Sequence, residues 1–195
     1  GMYFLQALGR REQAIAEMKR ALESAPLSAY YQHHLTLTLA FARQYDPALE
    51  ASRNALALDP NAWLPHLSLG IAYGRKKLYR EAIQTLEKAV QLSGNQLAAA
   101  AVLAYNYASS GRGSEAQGRL RQLEEASRTR YVSAYLRAVV YLGLGEKDRT
   151  LELFAKAVED REPYIFWLRE PLWEPLGSEP RYRALLRKMK LEEQR

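Results

Sequence analysis

The chain has 195 residues, 48% of them apolar, with no cysteine and a formal charge of +6. That suffices for one core-bearing domain or a short array, excludes disulfides, thiolate metal sites and cysteine nucleophiles, and leaves too little glycine and proline for disorder. Four of the six net charges fall in residues 181–195, where six basic side chains face Glu192 and Glu193. The excess is thus a solvated tail rather than the basic face that nucleic-acid recognition needs, and no apolar run nears the ~18 residues of a membrane span.

In chain order, Gly1 before Met2 reads as a scar of tag removal. The stretch "MYFLQALG" reads as the remainder of a first helix, expected to be cut from a longer chain. From there the chain repeats itself at an offset of 34. Ala14, Ala48, Ala82, Ala116 and Thr150 form one column, and Ala21, Ala55, Ala89, Leu123 and Ala157 a second. Met18, Ser52, Leu86, Leu120 and Phe154 form a third, while Thr36, Gly70, Ala104 and Ala138 align upstream, as do Leu39, Tyr73, Tyr107 and Tyr141. Side chains of matched size at one fixed period mean stacked copies of one supersecondary unit. The predicted units are 2–28 (partial), 29–62, 63–96, 97–130 and 131–162.

Each unit reads as two helices. In the third, Leu64, Leu67 and Ile71 recur at helical spacing, as do Ala82, Ile83, Leu86, Ala89 and Val90, with breaks at "GRKKLY" and "LSGN". "LDPN" closes the second unit, with Asp59 and Asn61 as expected caps and Pro60 unable to continue a helix. The small columns let paired helices approach, and the large ones fill the gaps. Arg137 breaks the pattern, standing where Leu35, Leu69 and Leu103 stand in other units. Its stem is expected along apolar surface with the guanidinium reaching water or a glutamate.

Residues 163–195 leave the repeat. The stretch holds Pro163, Pro171, Pro175 and Pro180 among Tyr164, Phe166, Trp167, Trp173 and Tyr182, so no long helix spans it. A stack of helix pairs exposes an apolar end that needs covering. The expected role is a C-terminal cap with a final helix over about 180–191; an exposed aromatic docking surface is the alternative.

Leu69-Gly70, Tyr73, Ala82, Leu86, Ala89 and Pro60 resemble the tetratricopeptide repeat, with His66 in place of its first tryptophan. The resemblance covers about residues 2–162 and implies an all-α, right-handed superhelix of about five helix pairs. It also implies that the first helix of each pair lines a concave groove. Carried onto this chain, those positions are Tyr30, His33, Leu37 and Phe41; Leu64, Leu67, Ile71 and Arg75; Ala98, Ala101 and Tyr105; Val132, Tyr135 and Val139. The implied surface is apolar and aromatic, without the lysine–asparagine–arginine clamp with which chaperone-binding members hold a terminal carboxylate. From "YVSAY" through "LGEKDR", "EDREP" and "FWL" to "EPRY", the last third also resembles repeat regions attached to bacterial signalling proteins: winged-helix transcriptional regulators, serine/threonine kinases and nucleotide cyclases.

The resulting expectation is a non-catalytic interaction or sensor module, cytoplasmic unless its parent is membrane-anchored. It carries no cofactor and binds a protein or peptide segment in the groove. Three occupants fit an apolar groove: a partner's helix or peptide, a second copy of this chain, or its own C-terminal segment folded back. A metal or small-molecule site using His33 and His66 is a further alternative, although adjacent His33 and His34 point about 100° apart on a helix. No phosphate-cradling glycine loop, paired-histidine zinc helix or nucleophile elbow is present.

Overall fold

A computed structural model describes residues 2–167 and 169–191. Among them there is no strand. Helices α1 (Met2–Ala7) and α2 (Arg11–Ser24) are followed by α3 (Ala29–Phe41) with α4 (Tyr45–Leu58), α5 (Trp63–Arg75) with α6 (Tyr79–Leu92), α7 (Leu97–Ser109) with α8 (Gly113–Ser127), and α9 (Ala134–Gly143) with α10 (Lys147–Glu159). Two 3-10 segments, Pro163–Trp167 and Pro171–Leu176, lead into α11 (Pro180–Lys188).

The tight turn inside each pair is made the same way five times. The residue at its apex has positive φ: Gly9 (74°), Arg43 (63°), Lys77 (64°), Gly111 (83°) and Gly145 (80°), all 34 apart. One residue on, a backbone N–H returns to the carbonyl five residues earlier: Arg10 to Leu5, Gln44 to Leu39, Leu78 to Tyr73, Arg112 to Tyr107 and Glu146 to Tyr141, at 2.8–3.0 Å. This closure satisfies carbonyls that the helix end would otherwise orphan. Glycine adopts the left-handed conformation without strain; Arg43 and Lys77 do so against a Cβ penalty.

Packing follows the columns. Ala14, Ala48, Ala82, Ala116 and Thr150 are all fully buried. A Cβ on Gly70 would fall 2.4 Å from Leu86 Cγ, so α5 and α6 approach only because position 70 lacks one. At the equivalent contact between α3 and α4, Ser52 Oγ donates to Thr36 Oγ1 at 3.0 Å, a polar pair replacing the glycine–leucine one. Gly74 is constrained likewise, since its Cβ would lie 2.3 Å from Oδ1 of fully buried Asn106.

Two local expectations differ from what is found. Asn61 does not cap α5, whose N-cap is Ala62; instead the Asp59 carboxylate accepts from the Asn61 N–H at 3.0 Å. The final helix stops at Lys188, short of 191, because Lys190 takes positive φ (56°) and Leu191 N–H closes onto Leu186 O. Arg137 is half-buried, and its Nε is buried without a hydrogen-bond partner in the protein.

The segment after α10 does more than cover the end of the stack. Trp173 is fully buried, its ring 4.5 Å from Phe154 and 5.4 Å from Tyr135, and Tyr182 packs 5.7 Å from Phe154. The chain then reaches back along the array: Trp167 lies 6.1 Å from Phe41 of α3, Glu170 meets Arg75 of α5, and Glu174 pairs with Arg43. Phe166, also expected in the cap, lies outside the described side chains. Buried Glu162 anchors the start of this run. Its carboxylate accepts from the N–H groups of Ala134 (2.7 Å) and Tyr135 (3.1 Å) and from the Ser133 hydroxyl, so it caps α9, where the helix dipole favours negative charge.

Candidate functional site: a groove filled by its own chain

The groove is built from α3, α5, α7 and α9, with the chain's own segment lying in it. His33, Leu37, Phe41, Leu67, Ile71, Arg75, Tyr135 and Val139 line one cavity, joined by Ala98 and Val102. Tyr164, Trp167, Glu170 and Leu172 close its other side, leaving about 60 Å³. The remaining expected positions fall elsewhere. Tyr30 stays exposed (53%), its ring edge-on to His34. Leu64 contributes a carbonyl, Ala101 is fully buried in the core, and Tyr105 sits with its ring 5.7 Å from the Arg75 guanidinium. Val132 is buried at the start of the last pair.

At the centre is a buried polar cluster. Glu170 receives Arg75 Nη2 at 2.9 Å on one oxygen and the Tyr135 hydroxyl at 2.8 Å on the other. The side chains of Arg75 and Glu170 are 11% and 4% exposed. Burial opposes the charge on Arg75, but Glu170 beside it prevails, so the guanidinium's pKa lies above its usual value. Burial, reinforced by the negative charge of Glu170, pushes the Tyr135 phenol well up, keeping it a donor. Removing either partner of such an ion pair would strand the other charge, a penalty of about 3–5 kcal/mol. Arg75 Nε has no partner, so the cluster is not fully satisfied.

Rings surround this cluster. Tyr164 stacks on Tyr135 at 5.5 Å and 16°, Trp167 lies 6.3 Å from Tyr135, and Trp173 Nε1 donates to the Trp167 carbonyl at 3.1 Å. Aromatic pairs at these distances add roughly 0.5–1.5 kcal/mol each beyond area burial. Sequence reading placed Arg75 on the groove but missed Glu170. The available signal was chemical: a cation at an apolar groove position requires a carboxylate, and one stands among the rings of the C-terminal segment.

The histidines do not converge. His33 Nδ1 donates to Leu64 O at 3.0 Å, and His66 Nε2 bonds Pro60 O at 2.9 Å, so each is committed to backbone. Burial, together with neighbouring His34, lowers the His33 pKa to about 3 against the backbone bond, making it a neutral groove residue. Among the described residues no group of three or more metal-ligating side chains forms. None of the described helices is long and apolar enough to cross a membrane.

The tetratricopeptide-repeat family model matches residues 3–26 and 66–96. The chain matches none of the curated protein sequences. Among solved structures it is similar to a thermophilic tetratricopeptide-repeat protein of Thermus thermophilus, at 23% identity over 93% of each chain and a TM-score of 0.65. It is also similar to MamA, at 22% identity over 80% of this chain and 92% of that one, with a TM-score of 0.52. A third is YrrB, a tetratricopeptide-repeat protein with an unusual peptide-binding site, at 19% identity over 90% and 92% and a TM-score of 0.51. With two stretches matching the repeat in sequence and consecutive helix pairs packed throughout, the chain is an all-helical tetratricopeptide-repeat fold.

Proposed function

We propose that this protein–protein interaction scaffold binds its partner in the concave groove, gated by its own C-terminal segment. The partner segment presents an aromatic ring followed three residues later by a carboxylate, and so takes the places of Trp167 and Glu170. The observation that carries this is the Arg75–Glu170–Tyr135 cluster. The groove holds a buried cation whose counter-charge arrives on the segment, 95 residues away in sequence. A buried ion pair is a weak source of net stability but a strong discriminator, because a segment lacking the acid leaves Arg75 unpaired. The peptide-binding site of the similar protein YrrB supports a peptide as occupant. The resemblance of the last third to repeat regions of bacterial signalling proteins supports a place in a larger cytoplasmic regulator.

The test uses a labelled peptide of residues 162–178 and three proteins: the wild type, Glu170→Ala and Arg75→Ala. The wild-type groove is filled, so the peptide should bind it weakly. It should bind folded Glu170→Ala at least about tenfold more tightly, and a peptide with glutamine for the acid should lose that gain. Absence of binding to folded Glu170→Ala, or equal binding to Arg75→Ala, would sink the proposal. A concentration-dependent wild-type dimer would point instead to exchange of the segment between two copies.

A further inference from the structure

A second cleft, outside the groove, opens at the seam where the two ends of the chain meet. Gln6, Gly9 and Arg11 form one wall; the other comes from the segment after Trp167 and from α11. Its volume is about 760 Å³, within the range of small-molecule sites. The ends are in close apposition here: a Cβ on Gly9 would lie 3.1 Å from Arg169 Nη1. Four guanidinium groups line the cleft, those of Arg11, Arg169, Arg183 and Arg187. The two carboxylates in its lining, Glu170 and Glu174, are each engaged by an arginine outside it, Arg75 and Arg43. Arg11 has no ion pair among the described residues; Arg183 donates to Ser178 O at 3.2 Å, and Arg169 and Arg187 make further contacts of their own. Glu192, Glu193 and Arg195 lie outside the described residues.

We infer that this cleft binds a small phosphate-bearing polyanion. Guanidinium forks match phosphate oxygens two at a time, and a concave site where guanidinium groups outnumber carboxylates concentrates anions. A ligand with two or more phosphates would bridge Arg11 on α2 to Arg183 on α11 across the seam. Because Arg169 belongs to the run that fills the groove, such a ligand stabilises the closed arrangement of the chain ends.

The test is calorimetric titration with inorganic pyrophosphate at constant ionic strength, with citrate as the carboxylate control and sodium chloride as the screening control. Saturable one-to-one binding of pyrophosphate to the wild type is expected, accompanied by a rise in melting temperature. Arg11→Ala and Arg183→Ala, confirmed folded by circular dichroism, should each weaken binding about tenfold. Arg119→Ala, on the surface of α8, should leave it unchanged. Absence of saturable binding at millimolar pyrophosphate overturns the inference, as does equal binding of citrate. So does full retention in the Arg11→Ala chain, which would leave only the general positive charge of the tail.

Discussion

The repeated hairpins and the C-terminal segment are stabilised in opposite ways. A hairpin closes on itself: its turn, its left-handed apex and its small-against-large contact all lie within one unit and recur 34 residues on. The segment from Glu162 to Leu176 has no such period. Its partners are Ser133, Arg75 and Arg43, at sequence separations of 29, 95 and 131. A solenoid of nearest-neighbour contacts has no element joining distant units. Here one aperiodic strap touches α3, α5, α9 and α10 together, so it couples units that otherwise contact only their neighbours.

This contrast is broken most severely by Glu170→Ala. It should lower stability by about 3–5 kcal/mol by stranding Arg75, and denaturant melts should lose cooperativity, with the first units melting apart from the last. A single transition with an unchanged midpoint would remove the strap from the account. Next comes Gly70→Ala, a change confined to one hairpin. Its Cβ meets Leu86 at 2.4 Å, and overpacking should cost about 1–3 kcal/mol, less the gain in helix propensity. In a Leu86→Ala background the penalty should vanish, and an additive result would deny the contact.

His33 sharpens the picture of the groove as a dry interior. Its folded pKa of about 3 lies below the ordinary 6.5, so the unfolded chain binds the proton first. The stabilisation it gives is complete above pH 6.5 and is lost as pH falls toward 3, at up to about 1.4 kcal/mol per pH unit. Unfolding free energies measured from pH 7 to 5 should fall more steeply for the wild type than for His33→Gln; parallel profiles would show a groove open to water. The smallest effect belongs to the turns. Lys77→Gly should add about 0.5–1 kcal/mol by relieving the left-handed conformation, and Gly111→Ala, with nothing within 4 Å of the new methyl, should remove about as much. Chemical denaturation distinguishes the two signs.

The same contrast explains what was legible. The alanine column from Ala14 to Ala116 announced helix pairs because every unit solves one packing problem with one residue size. The turn column was half hidden, since Arg43 and Lys77 occupy the apex that Gly9, Gly111 and Gly145 mark. The seating of Trp167 and Glu170 was not legible. A contact made once, across 95 residues, leaves no period, and "FWLRE" reads equally well as a cap, a docking surface or a strap. Only Arg75, a cation on an apolar face, hinted that an acid had to come from elsewhere.

The most direct test that the strap sits in the groove in solution is a double-mutant cycle on Arg75 and Glu170, using Arg75→Ala and Glu170→Ala. With the guanidinium and carboxylate 2.9 Å apart and buried, the coupling energy should exceed about 1 kcal/mol. Additivity within about 0.3 kcal/mol would mean that the two side chains do not meet and that the groove stands open.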